Sequence, residues 1–112
     1  MLSVYLQFIF FMIKNFRHKG LEELFLTGQS RKINNQHKKK LILQLSFLNA
    51  LISEEELLMV PNWRPHKLTG KNNHGQDLNG HWSFTVSGNW RLTFYFDQKD
   101  KTVVLLDYID YH

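Results

Sequence analysis

The chain has 112 residues, 43% apolar and 14% aromatic, which fits one domain with a real core and excludes a disordered chain. It has no cysteine, which excludes disulfides, thiol catalysis and cysteine-ligated metals and fits a reducing cytoplasm. The net charge of +4 is uneven: residues 1–71 carry 11 Lys/Arg against 5 Asp/Glu and residues 72–112 carry 3 against 5, so the basic half points to a polyanionic partner.

The opening "MLSVYLQFIFFMIKNF" holds an apolar run from Val4 to Ile13, broken by Gln7. A membrane-spanning helix needs roughly 20 apolar residues, and a secretory signal needs a basic start and a small-residue cleavage site. Neither is present, so no membrane association is expected. A second methionine, Met12, stands where ordinary globular patterning begins. Residues 1–11 are read as an N-terminal extension, with an extra strand or docking segment as the other reading, and residues 12–112 as a single domain. Residues 12–17 alternate as a short strand. "HKGLEELFLTG" predicts a short helix, with Leu21, Leu24 and Phe25 on one face and Gly28 as its C-cap. A polar connector follows. A longer helix is expected from about Asn35 to Ile52, because Leu41, Leu45, Leu48 and Ile52 form one stripe. Ser53 and Glu56 make a capping box for another turn of helix over 54–58, and Pro61 and Pro65 then block regular helix.

The second half changes period. "RPHKLTG" is a short extended piece and "KNNHGQDLNG" a polar loop. In "HWSFTVSGNWRLTFYF" Trp82, Phe84 and Val86 share a face, as do Trp90, Leu92, Phe94 and Phe96, with a tight turn at 87–89. "TVVLLDYID" is a final strand, apolar on both faces at its start and therefore expected to be central. The order predicts an α+β domain, a small antiparallel-dominated sheet with two N-terminal helices packed on one face.

Six histidines occur without metal-ligand spacing, no glycine-rich nucleotide loop exists, and no nucleophile-elbow serine is found, so no metal or cofactor is expected. "HKKK", with Lys38, Lys39 and Lys40, is either a solvated helix face or a set of phosphate contacts. In "GNWRLTF", inward Trp90 and Leu92 turn Arg91 to the opposite face, where a guanidinium on a rigid strand suits a phosphate. The terminal "DYH", Asp110, Tyr111 and His112, is either a frayed end or an ordered site anchored by the strand before it.

In this order, "MIKNFRHKGLEELFLTG", a basic-apolar helix, "PHKLTG", "GHWSFTVSGNWRLTF" and the terminal "DYH" resemble the HigB toxins of the RelE superfamily. The resemblance covers residues 12–112; the tryptophan-to-arginine hairpin segment and the terminal tripeptide are specific only together. It implies a RelE-like fold and a metal-free, ribosome-dependent endoribonuclease that cuts messenger RNA in the decoding site. It implies a HigA-type helix-turn-helix antitoxin as partner, with operator DNA reached only through that antitoxin. It carries over His66, Arg91, Asp110, Tyr111 and His112 as catalytic residues. Relatives commonly read H-P-L-K-G where this chain reads His66-Lys67-Leu68-Thr69-Gly70, so Thr69 holds the lysine position and Lys67 or Lys71 is left to supply RNA-binding charge. The rival reading is a catalytically weakened RelE-like module that only binds its antitoxin, RNA or another partner.

Such chemistry uses the RNA 2′-hydroxyl as nucleophile. It needs a base, an acid for the leaving 5′-oxygen and positive charge for the phosphorane. Arg91 suits the phosphate, and His66, Asp110 and His112 are candidates for the proton transfers. Tyr111 orients the nucleophile or stacks on a base.

Overall fold

The structure, a computed structural model, describes residues 12–111; the extension expected at 1–11 and the terminal His112 lie outside the described residues. Helix α1 spans Lys19–Thr27. His18 caps it, Nδ1 accepting the Leu21 N–H at 3.2 Å. It ends as expected at Gly28, whose φ of 80° suits a residue without Cβ and whose N–H bonds the Leu24 carbonyl.

Helix α2 spans Lys38–Asn49, after a 3₁₀ turn at Asn35–His37 that Asn34 caps. It is shorter than the apolar stripe predicts. The last turn tightens, with the Ala50 N–H on the Phe47 carbonyl and the Leu51 N–H on the Leu48 carbonyl. The phase shifts accordingly: Leu41, Leu45, Leu48 and Leu51 are buried and Ile52 is 78% exposed. The expected capping box is present, with the Glu56 carboxylate accepting the Ser53 N–H at 3.0 Å.

Strands β1 (His66–Lys67), β2 (Trp82–Ser87), β3 (Trp90–Asp97) and β4 (Thr102–Asp110) form one sheet in the order β1-β2-β3-β4, every pair antiparallel. The leucines of both helices bury against Phe84, Leu92, Phe94, Val103 and Leu106 of its inner face. No helix among the described residues is long and apolar enough to cross a membrane.

Residues 12–17 do not make the strand expected of them. They touch β4 through two isolated parallel bridges, Ile13 to Val103 and Phe16 to Leu106. Asn15 explains the interruption: its Oδ1 accepts the Leu105 N–H at 2.7 Å, where β4 bulges with Leu105 at a φ of 58°. β4 is therefore flanked on both sides as far as Leu106. Beyond it, Asp107–Asp110 pair with β3. The last strand is therefore an edge strand of the sheet and not the central one expected, with its first half covered by an extended segment through isolated bridges.

Candidate active site at the end of the last strand

Strand alternation and register decide which groups share a face. Leu92, Phe94 and Phe96 turn inward and are buried, so Arg91, Thr93 and Tyr95 face the other way. One row across this outer face runs His66, Ser83, Thr93, Asp107; the next runs Thr85, Arg91, Ile109. His66 and Arg91 thus share the face that the helices leave uncovered.

The β2–β3 turn holds the two groups nearest the terminus. Arg91 Nη1 donates to the Gly88 carbonyl at 2.6 Å and to the Trp90 carbonyl at 3.0 Å. The Tyr111 N–H bonds the Asn89 carbonyl at 2.8 Å, extending the β3–β4 ladder one residue past Asp110. Burial pushes the Tyr111 phenol above its ordinary pKa; the Arg91 charge pulls it down and the Asp107 carboxylate pushes it up. Tyr111 is therefore a neutral O–H donor at neutral pH, within electrostatic reach of Arg91 and Asp107.

His66 is exposed on β1, its Nδ1 3.2 Å from the Arg64 carbonyl. With Nδ1–H donating there, Nε2 is an acceptor, as a base requires. Asp110 pairs with Trp90 and so belongs to the inner face, where its charge pushes the Tyr108 phenol up. Lys67 also turns inward at β1: its Nζ lies 3.5 Å from Glu54 and 5.7 Å over the Trp82 ring, away from His66. Lys71 is exposed in the loop after β1, bridged to Asp77 through the backbone. Lys38, Lys39 and Lys40 form the first turn of α2, which holds no acidic residue, so their charge adds to the positive end of the helix dipole.

Several residues that the sequence reading did not assign to the site adjoin it. Asp107 is felt by both Tyr111 and His18. His37 is buried with Nδ1 2.6 Å from the Tyr108 hydroxyl, and Trp90 stacks on Tyr108 with centroids 4.5 Å apart. His18 and Lys32 share a cavity with Asp110 and Tyr111. A signal for Asp107 and Tyr108 lay in "DYIDY". A shift of three in a strand reverses the face, so Tyr108 becomes a buried brace and Tyr111 faces the site.

The floor between His66 and Arg91 is polar. Ser83 Oγ and Thr93 Oγ1 are buried there without a hydrogen-bond partner among the described residues, as are both His81 ring nitrogens and Arg17 Nη1 elsewhere in the fold. The Asn79 carbonyl is close enough to affect His81 electrostatically, yet outside hydrogen-bond geometry.

A family model described as RelE-like toxin of type II toxin-antitoxin system HigB matches residues 14–112. The chain is also similar to the Endoribonuclease HigB of Proteus vulgaris, with 36% identity over 101 residues, 90% of this chain and 100% of the relative.

Proposed function

The chain belongs to the HigB-like family of RelE-like toxins of type II toxin–antitoxin systems, and from that premise we propose that it is an endoribonuclease that cuts messenger RNA in the ribosomal decoding site. The observation that carries this reading is the convergence at the Gly88–Asn89 turn. The Gly88 carbonyl accepts from the Arg91 guanidinium, and the neighbouring Asn89 carbonyl holds the Tyr111 backbone, on the sheet face that the helices do not cover.

In the proposed step the 2′-oxygen of one nucleotide attacks the adjoining phosphorus and the bond to the 5′-oxygen breaks. The 2′-hydroxyl proton passes to a base and another proton reaches the leaving oxygen. The products are a 2′,3′-cyclic phosphate and a 5′-hydroxyl. Arg91 retains N–H groups beyond Nη1 for the phosphorane oxygens, a contribution worth on the order of 10²–10³-fold. His66, Asp110 and His112 are the proposed proton-transfer groups, each worth about 10²–10⁴-fold. The neutral Tyr111 hydroxyl orients the nucleophile or the phosphate. Lys38, Lys39 and Lys40 contact ribosomal RNA, and Lys71 adds charge at the loop. A HigA-type helix-turn-helix antitoxin holds the toxin inactive and links it to operator DNA.

The test is purified ribosomes programmed with a defined message, with and without the protein. Cleavage within the decoding-site codon is expected, and loss of cleavage with Arg91→Ala. One observation favours the rival reading of a weakened module: Thr69 stands at the family's lysine position, and Lys67 is engaged by Glu54. Ribosome binding with an uncut message would establish that reading instead.

A further inference from the structure

Beside the terminus, where β4 loses its second neighbour, lies a cavity of about 350 Å³ lined by His18, Lys32, Trp90, Tyr108, Asp110 and Tyr111, with the Asn72–His74 stretch on its remaining side. That volume is in the range of small-ligand sites. Its aromatic wall is rigid: Trp90 and Tyr108 stack nearly parallel, and His18 meets Tyr108 edge-on at 5.5 Å.

The polar groups on the other side are fixed as well. The His18 Nδ1 is taken by the Leu21 N–H. A neutral ring so bound carries its proton on Nε2, so His18 offers the cavity a donor and no acceptor. Burial, reinforced by the Lys32 charge and opposed by Asp107, lowers its pKa and keeps the ring neutral. Lys32 contributes a second donor. Both approach because Gly20 has no side chain: a Cβ there would lie 2.7 Å from the Lys32 Cβ and 2.8 Å from the His18 Cε1.

The Asp110 carboxylate argues against a phosphate in the same space. Donors set beside an aromatic wall suit a nucleobase, which offers a flat face and acceptor atoms on its rim. We propose that this cavity receives one base of the message next to the cleaved phosphate, and that His18 Nε2–H and Lys32 Nζ read its edge. The cavity is then a specificity site, and the proposal rests on the endoribonuclease reading above.

The test compares ribosomes programmed with messages that differ only in the base flanking the cleaved bond. It measures the ratio of kcat/KM between the best and worst base. His18→Asn keeps a helix-capping oxygen but removes the Nε2–H. Lys32→Met keeps the stem and removes the charge. Each should lower the ratio about tenfold, the discrimination that one hydrogen bond to a base edge supplies. Gly20→Ala should lower the ratio with both side chains still present. If that variant melts early, the first two carry the test. Lys99→Gln, in the turn at the far end of β4, should leave the ratio unchanged. A uniform loss across all messages, or an unchanged ratio, would overturn the proposal. So would a loss of antitoxin affinity without a change in the ratio, which would make the cavity a protein-docking groove. A wild-type protein that cuts no message defeats the endoribonuclease reading itself, a separate result.

Discussion

Tyr108 and Tyr111 differ in role because a strand has period two. Tyr108 is locked between His37 and Trp90, and Tyr111 stands beside Arg91. Tyr111→Phe should therefore melt like the wild type and lose on the order of 10²–10³-fold in cleavage, as a hydroxyl that orients the reacting phosphate would. Full activity would reduce the ring to a stacking surface. Arg91→Ala loses two bonds to backbone carbonyls at a partly exposed turn, so a stability cost of no more than about 1 kcal/mol is expected alongside loss of cleavage. Thr93 is fully buried with its hydroxyl unpartnered among the described residues, and Thr93→Val replaces that hydroxyl with a methyl of similar shape. That change should stabilise by about 1 kcal/mol in urea melts, since an unsatisfied buried hydroxyl is a cost. A destabilised Thr93→Val would mean that the hydroxyl has a partner beyond the described residues. The histidines give the pH dependence. Burial is the largest cause lowering His18, His37 and His81 from the ordinary 6.5. Between that value and their lower folded values the unfolded chain binds more protons, so stability should fall as pH drops below about 6.5. Urea midpoints at a series of pH values check this, and a midpoint that is flat from neutral to mildly acid pH would contradict it.

At the scale of elements, pattern and capping made most of the fold legible. The hairpin turn, the inward faces of β2 and β3, the Gly28 cap and the Ser53–Glu56 box all follow from local chemistry. The misses have long-range causes. Ile52 continues the leucine stripe in sequence, and only the tightened end of α2 turns it out. Asn15 and Asn49 decide the fate of residues 12–17, and neither reads as special in sequence: Asn15 bonds the bulge of β4, and Asn49 Oδ1 accepts the Met12 N–H at 2.9 Å and the Ile13 N–H at 3.3 Å. The site was legible in the same degree. Arg91 follows from strand phase, whereas His18 and Lys32 meet Tyr111 only because a glycine in α1 lets them approach. The asparagine contacts set the limit of truncation. A chain starting at Met12 keeps both Asn49 bonds and the ladder to Val103, so it should fold and cut like the full chain. Removing residues through Arg17 uncovers the edge of β4 and takes buried Ile13 out of the core, and should aggregate. If the Met12 start itself aggregates, residues 1–11 are part of the fold and not an extension.

Across the whole molecule the charge is organised in two places. Arg91 stands on the sheet face that the helices do not cover, and a second set of cations gathers around the start of α2. Arg31, Lys32 and Lys38 line one groove there with a single acid, Glu23, and Lys32 also lines the cavity beside Asp110 and Tyr111, so one lysine links the basic groove to the site. The helix dipole reinforces it, because the lysines sit at the end where unpaired N–H groups already point outward. Such an arrangement is costly for α2 on its own, since cations are favoured at the opposite end of a helix. A polyanion bound there offsets that cost. If the polyanion is ribosomal RNA, each contact releases counterions, and the logarithm of the binding constant falls with the logarithm of salt by about 0.7–0.9 per phosphate. Replacing Lys38, Lys39 and Lys40 together by glutamine should therefore weaken ribosome binding and flatten that slope by roughly two. The cleavage rate at saturating ribosome should hold, because the lysines position the toxin and do not touch the reacting phosphate. Relieving the repulsion should also raise the melting temperature slightly. A slope equal to that of the wild type would show the lysines to be a solvated face, and a loss of cleavage at saturation would place them in the chemistry.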